Sequence, residues 1–328
     1  MIITRTPLRI SLGGGGTDLP SYYRNSPSGG FLVAGAIDKY VYIAINRYFG
    51  TNLLLKYSSI ERVTKPEEVE HPLLREALIV SGVTGGVEIS SMADIPAGTG
   101  LGSSGAFTVG LLKALTAQRR QPSSNTEIAE LACRVEIDRL QAPVGKQDQY
   151  IAAVGGITAF EYRSDDTVKV SPVQISEEAR LELEENLLLF YTGVSRPAAA
   201  ELRSQDPGSA TRGGDIMENL DRVKELGYES HAALEAGDMQ RFGALLTDQW
   251  KLKLDRAPSK LHREIDDWLG RGIEAGAVGG KLVGAGGGGF VLFYAEAKVQ
   301  LRAAMKELDL EEVRFGFDYD GVSTIVNL

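Results

Sequence analysis

The 328-residue chain is poor in the residues that cross-link or bind soft metals. Its single cysteine, Cys133, rules out a disulfide within the chain. Its three histidines, His71, His231 and His262, stand apart and give no metal-ligand spacing, so surface positions are expected for them. Cys133 falls on the apolar side of a helical pattern, as a buried, inert thiol would. No apolar run approaches the roughly 20 residues that cross a bilayer, so no membrane partner is expected. Residues 1–16 lack the apolar core of a secretion signal, which with the lone cysteine leads us to expect a cytoplasmic protein. Positive charge is also short: 35 Lys and Arg against 44 Asp and Glu leave a net charge of −9. That argues against a nucleic-acid surface, which needs dense cations. A few local cations can still hold a small anion against such a field.

Glycine is abundant, with 38 copies, well above the usual roughly 7%. It clusters at Gly13–Gly16, Gly98–Gly105 and Gly284–Gly289. Such clusters let a backbone approach a ligand closely. Between them the pattern predicts strands over 2–12, 31–37, 41–48, 53–57, 87–92, 157–162, 168–173 and 187–191. Helices are expected over 72–81, 103–117 and 124–140. Residues 209–275 read as mostly helical, with breaks near Gly227, Gly237 and Pro258. Strands at 278–283 and 290–295, a helix at 296–308 and a strand pair within 312–327 close the chain. The first half is β-rich and the second helix-rich, which predicts an α+β fold with two domains, 1–185 and 186–328. The boundary is drawn at the charged stretch following the strand 168–173.

The segment Pro96-Ala-Gly-Thr-Gly-Leu-Gly-Ser-Ser-Gly-Ala106 follows a predicted strand and opens a predicted helix. A glycine turn there aims backbone N–H groups at an anion, and the helix dipole adds partial positive charge. Pro96, Gly98, Thr99, Gly100, Leu101, Gly102, Ser103, Ser104 and Gly105 are therefore candidate phosphate-binding residues. The serines could cap the helix, bind a phosphate oxygen or ligate a cation. The plain alternative is a tightly packed helix start. No Walker loop exists, since Gly276–Lys281 is too short and Leu282 follows it. The first cluster is not a dinucleotide fingerprint either: Asp18 stands where the third glycine belongs, and Pro20, Pro27, Gly29 and Gly30 break the helix that should follow.

Together the clusters have another explanation. Pro7-Leu-Arg-Ile-Ser-Leu-Gly-Gly-Gly-Gly-Thr-Asp18 resembles the first motif of the GHMP kinases, the family of galactokinase, homoserine kinase, mevalonate kinase and phosphomevalonate kinase. Pro96–Ala106 resembles the second, ATP-phosphate motif, and Lys281-Leu-Val-Gly-Ala-Gly-Gly-Gly-Gly289 the third. The motifs stand in family order and span nearly the whole chain. Within the family, Arg5–Pro20 and Pro143-Val-Gly-Lys-Gln-Asp-Gln-Tyr150 resemble bacterial kinases acting on D-glycero-D-manno-heptose 7-phosphate. The resemblance implies an N-terminal half like ribosomal protein S5 domain 2 and a ferredoxin-like C-terminal half, with ATP between them. The implied reaction makes a 1,7-bisphosphate.

The resemblance also implies roles. Asp148 matches the catalytic aspartate and Arg9 the basic residue of the first motif. Ser104 and Glu136 match the oxygen ligands of Mg²⁺, a hard cation that suits them; the loop from Pro143 to Asp148 is one residue longer than in mevalonate kinases. A buried Glu136 paired with Arg134 or Arg139 is the structural alternative. Asp18 matches a sugar-binding aspartate, or else bonds its own turn. Gly14, Gly15, Gly16, Gly286 and Gly287 are carried over as substrate-side residues. Gly15 and Gly16 stand where galactokinases carry Glu-His, which opens room for a longer sugar. A sugar phosphate would need cations for its distal phosphate, and Lys146 and Arg196 are the candidates. Competing readings are a kinase for an octose phosphate, fucose or galactose-like sugar, a mevalonate or homoserine kinase, and a catalytically silent sugar and ATP sensor. Arg9, Ser104, Glu136 and Asp148 together oppose the sensor. A homodimer stays open.

Overall fold

The structure, a computed structural model, describes residues 1–194, 206, 213–256, 260–284 and 287–328. Two sheets organise it. The larger has eight strands, in the order β12-β1-β2-β5-β3-β4, with β6 on β2 and β7 on β6. Its strands are β1 (Ile2–Gly13), β2 (Gly30–Arg47), β3 (Leu53–Lys56), β4 (Ile60–Val63), β5 (Val87–Ala93), β6 (Ile157–Tyr162), β7 (Val168–Pro172) and β12 (Ser323–Asn327). All pairings are antiparallel except β3 with β5. The smaller sheet is antiparallel, β11-β8-β10-β9, from β8 (Leu187–Tyr191), β9 (Gly279–Leu282), β10 (Phe290–Tyr294) and β11 (Glu311–Glu312).

The two expected runs at 31–37 and 41–48 are one strand. Pro7 pairs with Tyr40 and Leu8 with Ile37, so residues 38 and 39 are an irregularity that the ladder spans. Gly30–Ile37 is buried at every position, as befits a strand covered on both faces, whereas Val41–Ile45 alternates. The helices Ser103–Gln118, Gln147–Val154 and Gly213–Ala236 pack against this strand.

Other expectations need correction. The charged stretch Glu177–Asn186 is a helix capped by Ser176, which buries Ala179 and Leu183 and leads directly into β8. The terminal strands are no pair: β11 joins the small sheet and β12 returns to β1. Gly227 does not break its helix. A Cβ there would stand 3.1 Å from the Gly14 Cα and 3.2 Å from the Phe31 carbonyl, so glycine serves close packing on the first glycine turn. Gly237, at φ +70°, follows the end of that helix. Pro258 lies outside the described residues. The helix expected over 124–140 is regular over Asn125–Cys133, with a Ser124/Glu127 capping box, and then widens into a π-helical turn, Arg134–Arg139.

The glycine clusters of the two sheets meet. A Cβ on Gly284 would lie 2.4 Å from the Gly100 carbonyl oxygen, and one on Gly289 only 1.8 Å from that of Thr99. The third cluster thus holds the small sheet against the second glycine loop. Gly289→Ala, at φ +98°, should cost roughly 2–4 kcal/mol of unfolding free energy in urea titrations. Gly193→Ala, at φ +72° with no heavy atom within 4 Å of its Cβ position, should cost only about 1 kcal/mol. Equal losses in the two variants would show that the approach of the loops is not tight.

Candidate active site

A cleft of about 660 Å³ opens where the first and second glycine segments meet the helix Met239–Arg256 and β9. At its centre Arg9, on β1, is clamped on Asp148, in the first turn of the helix Gln147–Val154. Arg9 Nε donates to Asp148 Oδ1 at 2.7 Å and Nη2 to Oδ2 at 3.0 Å. The remaining Nη1 donates to the Gly100 carbonyl, and the Arg9 backbone N–H donates to that of Leu101 at 3.0 Å. One buried arginine therefore ties β1, the glycine loop and the Asp148 helix together. The bidentate fork fixes the plane of the carboxylate and leaves it partly open to the cleft.

The expected capping of the helix Ser103–Gln118 by its serines does not occur. Its N-cap is Gly102, at φ +77°, with no side-chain cap. The N–H groups of the first turn are thus not taken by a local side chain, and Ser103 and Ser104 face the cleft. Gly98, Gly100 and Gly102 line the same floor, while the Thr99 hydroxyl donates to the Pro96 carbonyl at 3.0 Å, bracing the turn. Gly105 is closed against Asp148, whose Cβ would lie 2.7 Å from a Cβ there.

Beyond this floor the cleft turns apolar, with Tyr57, Leu73, Met92, Ile95 and Phe107. His71 joins them, its ring centroid 4.8 Å from that of Tyr57 and 5.3 Å from that of Phe107. The His71 Nδ1 accepts the Leu74 N–H at 3.3 Å as a helix cap, and burial lowers its pKa, so the ring is neutral. Neither His71 nor His262, which is fully buried against Trp250, fits the expectation of surface histidines.

Glu136 is buried within the π-helical turn. Its carboxylate accepts from Gln149 Nε2 at 2.9 Å and lies by the Ser104 and Thr108 hydroxyls. It is not paired with an arginine: Arg139 bonds Glu76 at 2.7 Å instead. Burial raises its pKa to about 7, and the negative charge of Asp148 adds to this against the hydrogen bonds. Among the described residues no three His, Cys, Asp or Glu side chains cluster as a metal cage. The hydroxyl-plus-carboxylate set nevertheless suits Mg²⁺, which keeps waters and takes much of its shell from phosphates. The raised pKa marks a place where negative charge lacks compensation.

Asp18 is buried beside this centre. Its Oδ1 accepts the Gly16 N–H at 3.1 Å and its Oδ2 the Gln147 N–H at 3.0 Å. It thus bonds its own turn and also pins the residue before Asp148. Burial raises its pKa, and Asp148 adds to the shift against these amides. Gly15 and Gly16 line the cleft, whereas Gly14 is closed off, a Cβ there falling 2.2 Å from the Phe31 carbonyl oxygen. Lys146 does not line the cleft. Its ammonium is buried on the Asp166 carbonyl at 2.8 Å and the Glu130 carboxylate at 3.4 Å. Arg196 and Gly286 lie outside the described residues, and Gly287 is buried.

The cations that do line the cleft are Lys253, Arg256 and Lys281, with Arg9. Lys281 donates to Gln249 Oε1 at 2.8 Å, and burial, helped by Arg9, lowers its pKa to about 7. Lys253 donates to the Gly284 carbonyl. Sequence reasoning missed all three. Gln249, Lys253 and Arg256 do follow an i, i+4, i+7 spacing that marks one helix face.

Glu136 makes the ligand-free protein pH-sensitive. Its carboxyl ionises near the ordinary 4.5 when unfolded and near 7 when folded, so stability falls as pH rises between those values and is flat above. Glu136→Gln should therefore raise Tm at pH 8 and leave it nearly unchanged below pH ~4.5. Scanning calorimetry of both proteins at the two pH values tests this. A variant less stable than wild type at pH 8 would show that the carboxylate is already compensated.

The profile of the GHMP kinases N-terminal domain matches residues 63–156, and that of the GHMP kinases C-terminal domain residues 230–309. The chain is 29% identical to the D-glycero-alpha-D-manno-heptose 7-phosphate kinase of Campylobacter jejuni, over 98% of both chains. It is 26% identical to the galactokinase of Pyrococcus furiosus, over 88% of this chain and 87% of that one. A D-glycero-D-manno-heptose 1-phosphate kinase from Bacteroides thetaiotaomicron superposes with a TM-score of 0.81 at 25% identity, over the full length of both. With both domain profiles matched in order and relatives aligned end to end, this chain belongs to the GHMP kinases, ATP-dependent phosphotransferases that act on hydroxyl groups.

Proposed function

We propose that this kinase phosphorylates the anomeric hydroxyl of D-glycero-D-manno-heptose 7-phosphate, giving the 1,7-bisphosphate. The observation that carries the catalytic part is the Arg9–Asp148 fork beside the uncapped helix Ser103–Gln118. The end-to-end similarity to the Campylobacter jejuni heptose 7-phosphate kinase favours the substrate, and the cationic wall of the cleft suits an anionic sugar.

Phosphoryl transfer needs positioning and charge stabilisation more than covalent chemistry. In this reading the triphosphate of ATP lies along Gly98–Ser104, held by first-turn amides, with the base in the slot of Tyr57, His71 and Phe107. Asp148 accepts the proton of the acceptor hydroxyl, which attacks the γ-phosphorus as the bond to ADP breaks. Arg9 orients Asp148 and adds positive charge near the transferring group. Ser104 and Glu136 would hold Mg²⁺, which neutralises phosphate charge when bound. Asp18 faces the sugar side of the same pocket.

Asp148→Asn keeps size and shape but removes the proton acceptor. It should lower kcat by about 10²–10⁴-fold while ATP still binds by calorimetry. A variant within about threefold of wild type would make Asp148 a positioning group only.

For the substrate, ADP release from heptose 7-phosphate should exceed that from heptose 1-phosphate and from free heptose, with phosphorus NMR placing the new group on C1. A product phosphorylated elsewhere, or turnover of heptose 1-phosphate alone, would overturn the anomeric assignment.

A further inference from the structure

Arg256 ends the helix Met239–Arg256 and reaches across to the first glycine turn. Its Nη1 donates to Asn219 Oδ1 at 2.7 Å. Its Nη2 stands 3.7 Å from the point where a Cβ on Gly16 would be. From there a line of contacts leads to the reacting centre. Gly16 N–H bonds Asp18 Oδ1, Asp18 Oδ2 accepts from the Gln147 N–H, and Asp148 is the next residue. The glycines at 15 and 16 leave bare backbone along the way. Beside them lies the Ser11 hydroxyl, buried and without a hydrogen-bond partner among the described residues. It would be 2.9 Å from a Cβ on Gly15 and lines the cleft.

We propose that Arg256 binds the remote phosphate of the acceptor, with the sugar lying along the Gly15–Gly16 turn and Ser11 meeting one of its hydroxyls. This rests on the reading of the enzyme as a sugar-phosphate kinase. It assigns the distal cation to the C-terminal half of the chain, in place of Lys146, which is turned away. A guanidinium presents a planar fork that matches phosphate oxygens. Burial lowers its pKa to about 10, so it stays a cation at neutral pH, and a desolvated cation gains strongly when a dianion arrives. A Cβ at position 15 would already lie 2.9 Å from Ser11 Oγ and one at 16 3.7 Å from Arg256 Nη2, so larger side chains there would crowd these groups. A turn of bare glycine therefore suits an acceptor that is long and carries charge at its far end.

A contact remote from the reacting oxygen acts mainly through binding, so its signature is the ratio of kcat/KM for heptose 7-phosphate to that for free heptose. Arg256→Ala should lower this ratio by about 10–100-fold, the worth of a charge-assisted hydrogen-bond pair. Arg256→Lys should fall between the two proteins, since it keeps the charge and loses the fork. Both sugars are assayed on one preparation, so any loss of folded enzyme cancels. A ratio in Arg256→Ala within threefold of wild type, while wild type prefers the phosphorylated sugar, would overturn the role of Arg256 and leave the substrate reading standing. A wild type that prefers free heptose would overturn both.

Discussion

The Arg9–Asp148 ion pair is the contact on which the site depends. It joins residues 139 positions apart in sequence and closes a loop of interactions through the Gly100 and Leu101 carbonyls. Breaking such a buried pair on one side typically costs about 3–5 kcal/mol, because the surviving charge loses its partner. The pair is therefore structural and chemical at once. The same bonds that seat the Asp148 helix against β1 hold its carboxylate in one orientation at the cleft floor. The glycines around it follow from this. Gly102 and Gly105 press against Arg9 and Asp148 so closely that a Cβ at either would meet their side chains at 3.1 and 2.7 Å.

Around that pair, charge is arranged by wall. Asp148, Asp18 and Glu136 lie on the side of the larger sheet, and burial and mutual repulsion raise the pKa of Asp18 and Glu136. Lys253, Arg256 and Lys281 lie on the side of the helix Met239–Arg256 and β9, where burial lowers the pKa of Arg256 and Lys281. The two walls thus carry buried charges of opposite sign. The net charge of −9 says nothing of this, because the balance that matters is local.

Local grammar made much of this legible. The strand, glycine turn and helix around Pro96–Ala106 were readable, because turn geometry is written in neighbouring residues. The family resemblance supplied the pairing of Arg9 with Asp148, which no periodicity could. What stayed hidden was tertiary. The π-helical turn that buries Glu136 carries no compositional mark. Gly227 looked like a helix breaker because its reason for being glycine, the backbone of Gly14, is more than 200 residues away. The charged run Glu177–Asn186 hid its helix because only Ala179, Leu183 and Asn186 are buried. Lys146 was a candidate for a distal phosphate by its charge and its loop. Two residues before Asp148, its side chain turns to another face, and there Glu130 and the Asp166 carbonyl take its charge.

The meeting of the glycine clusters explains why Gly284 and Gly289 of the third motif are glycine. Gly284 and Gly289 each place backbone where any side chain would strike the loop of residues 99–100. The small sheet is thereby held against the second glycine loop by a close approach of main chain. Val283 follows β9, two residues after Lys281, and its carbonyl would meet a Cβ on Gly100 at 2.7 Å. Lys281 is consequently held in register with the second glycine loop by the same contact. A shift of β9 would move Lys281 relative to Arg9, and a shift of the helix Met239–Arg256 would move Gln249, which grips Lys281 and also donates to the Leu12 carbonyl on β1 at 3.1 Å. The relative position of β9, the second glycine loop and β1 is thus set by packed backbone and by the buried Gln249 amide, and in-line phosphoryl transfer needs such fixed geometry before substrates arrive.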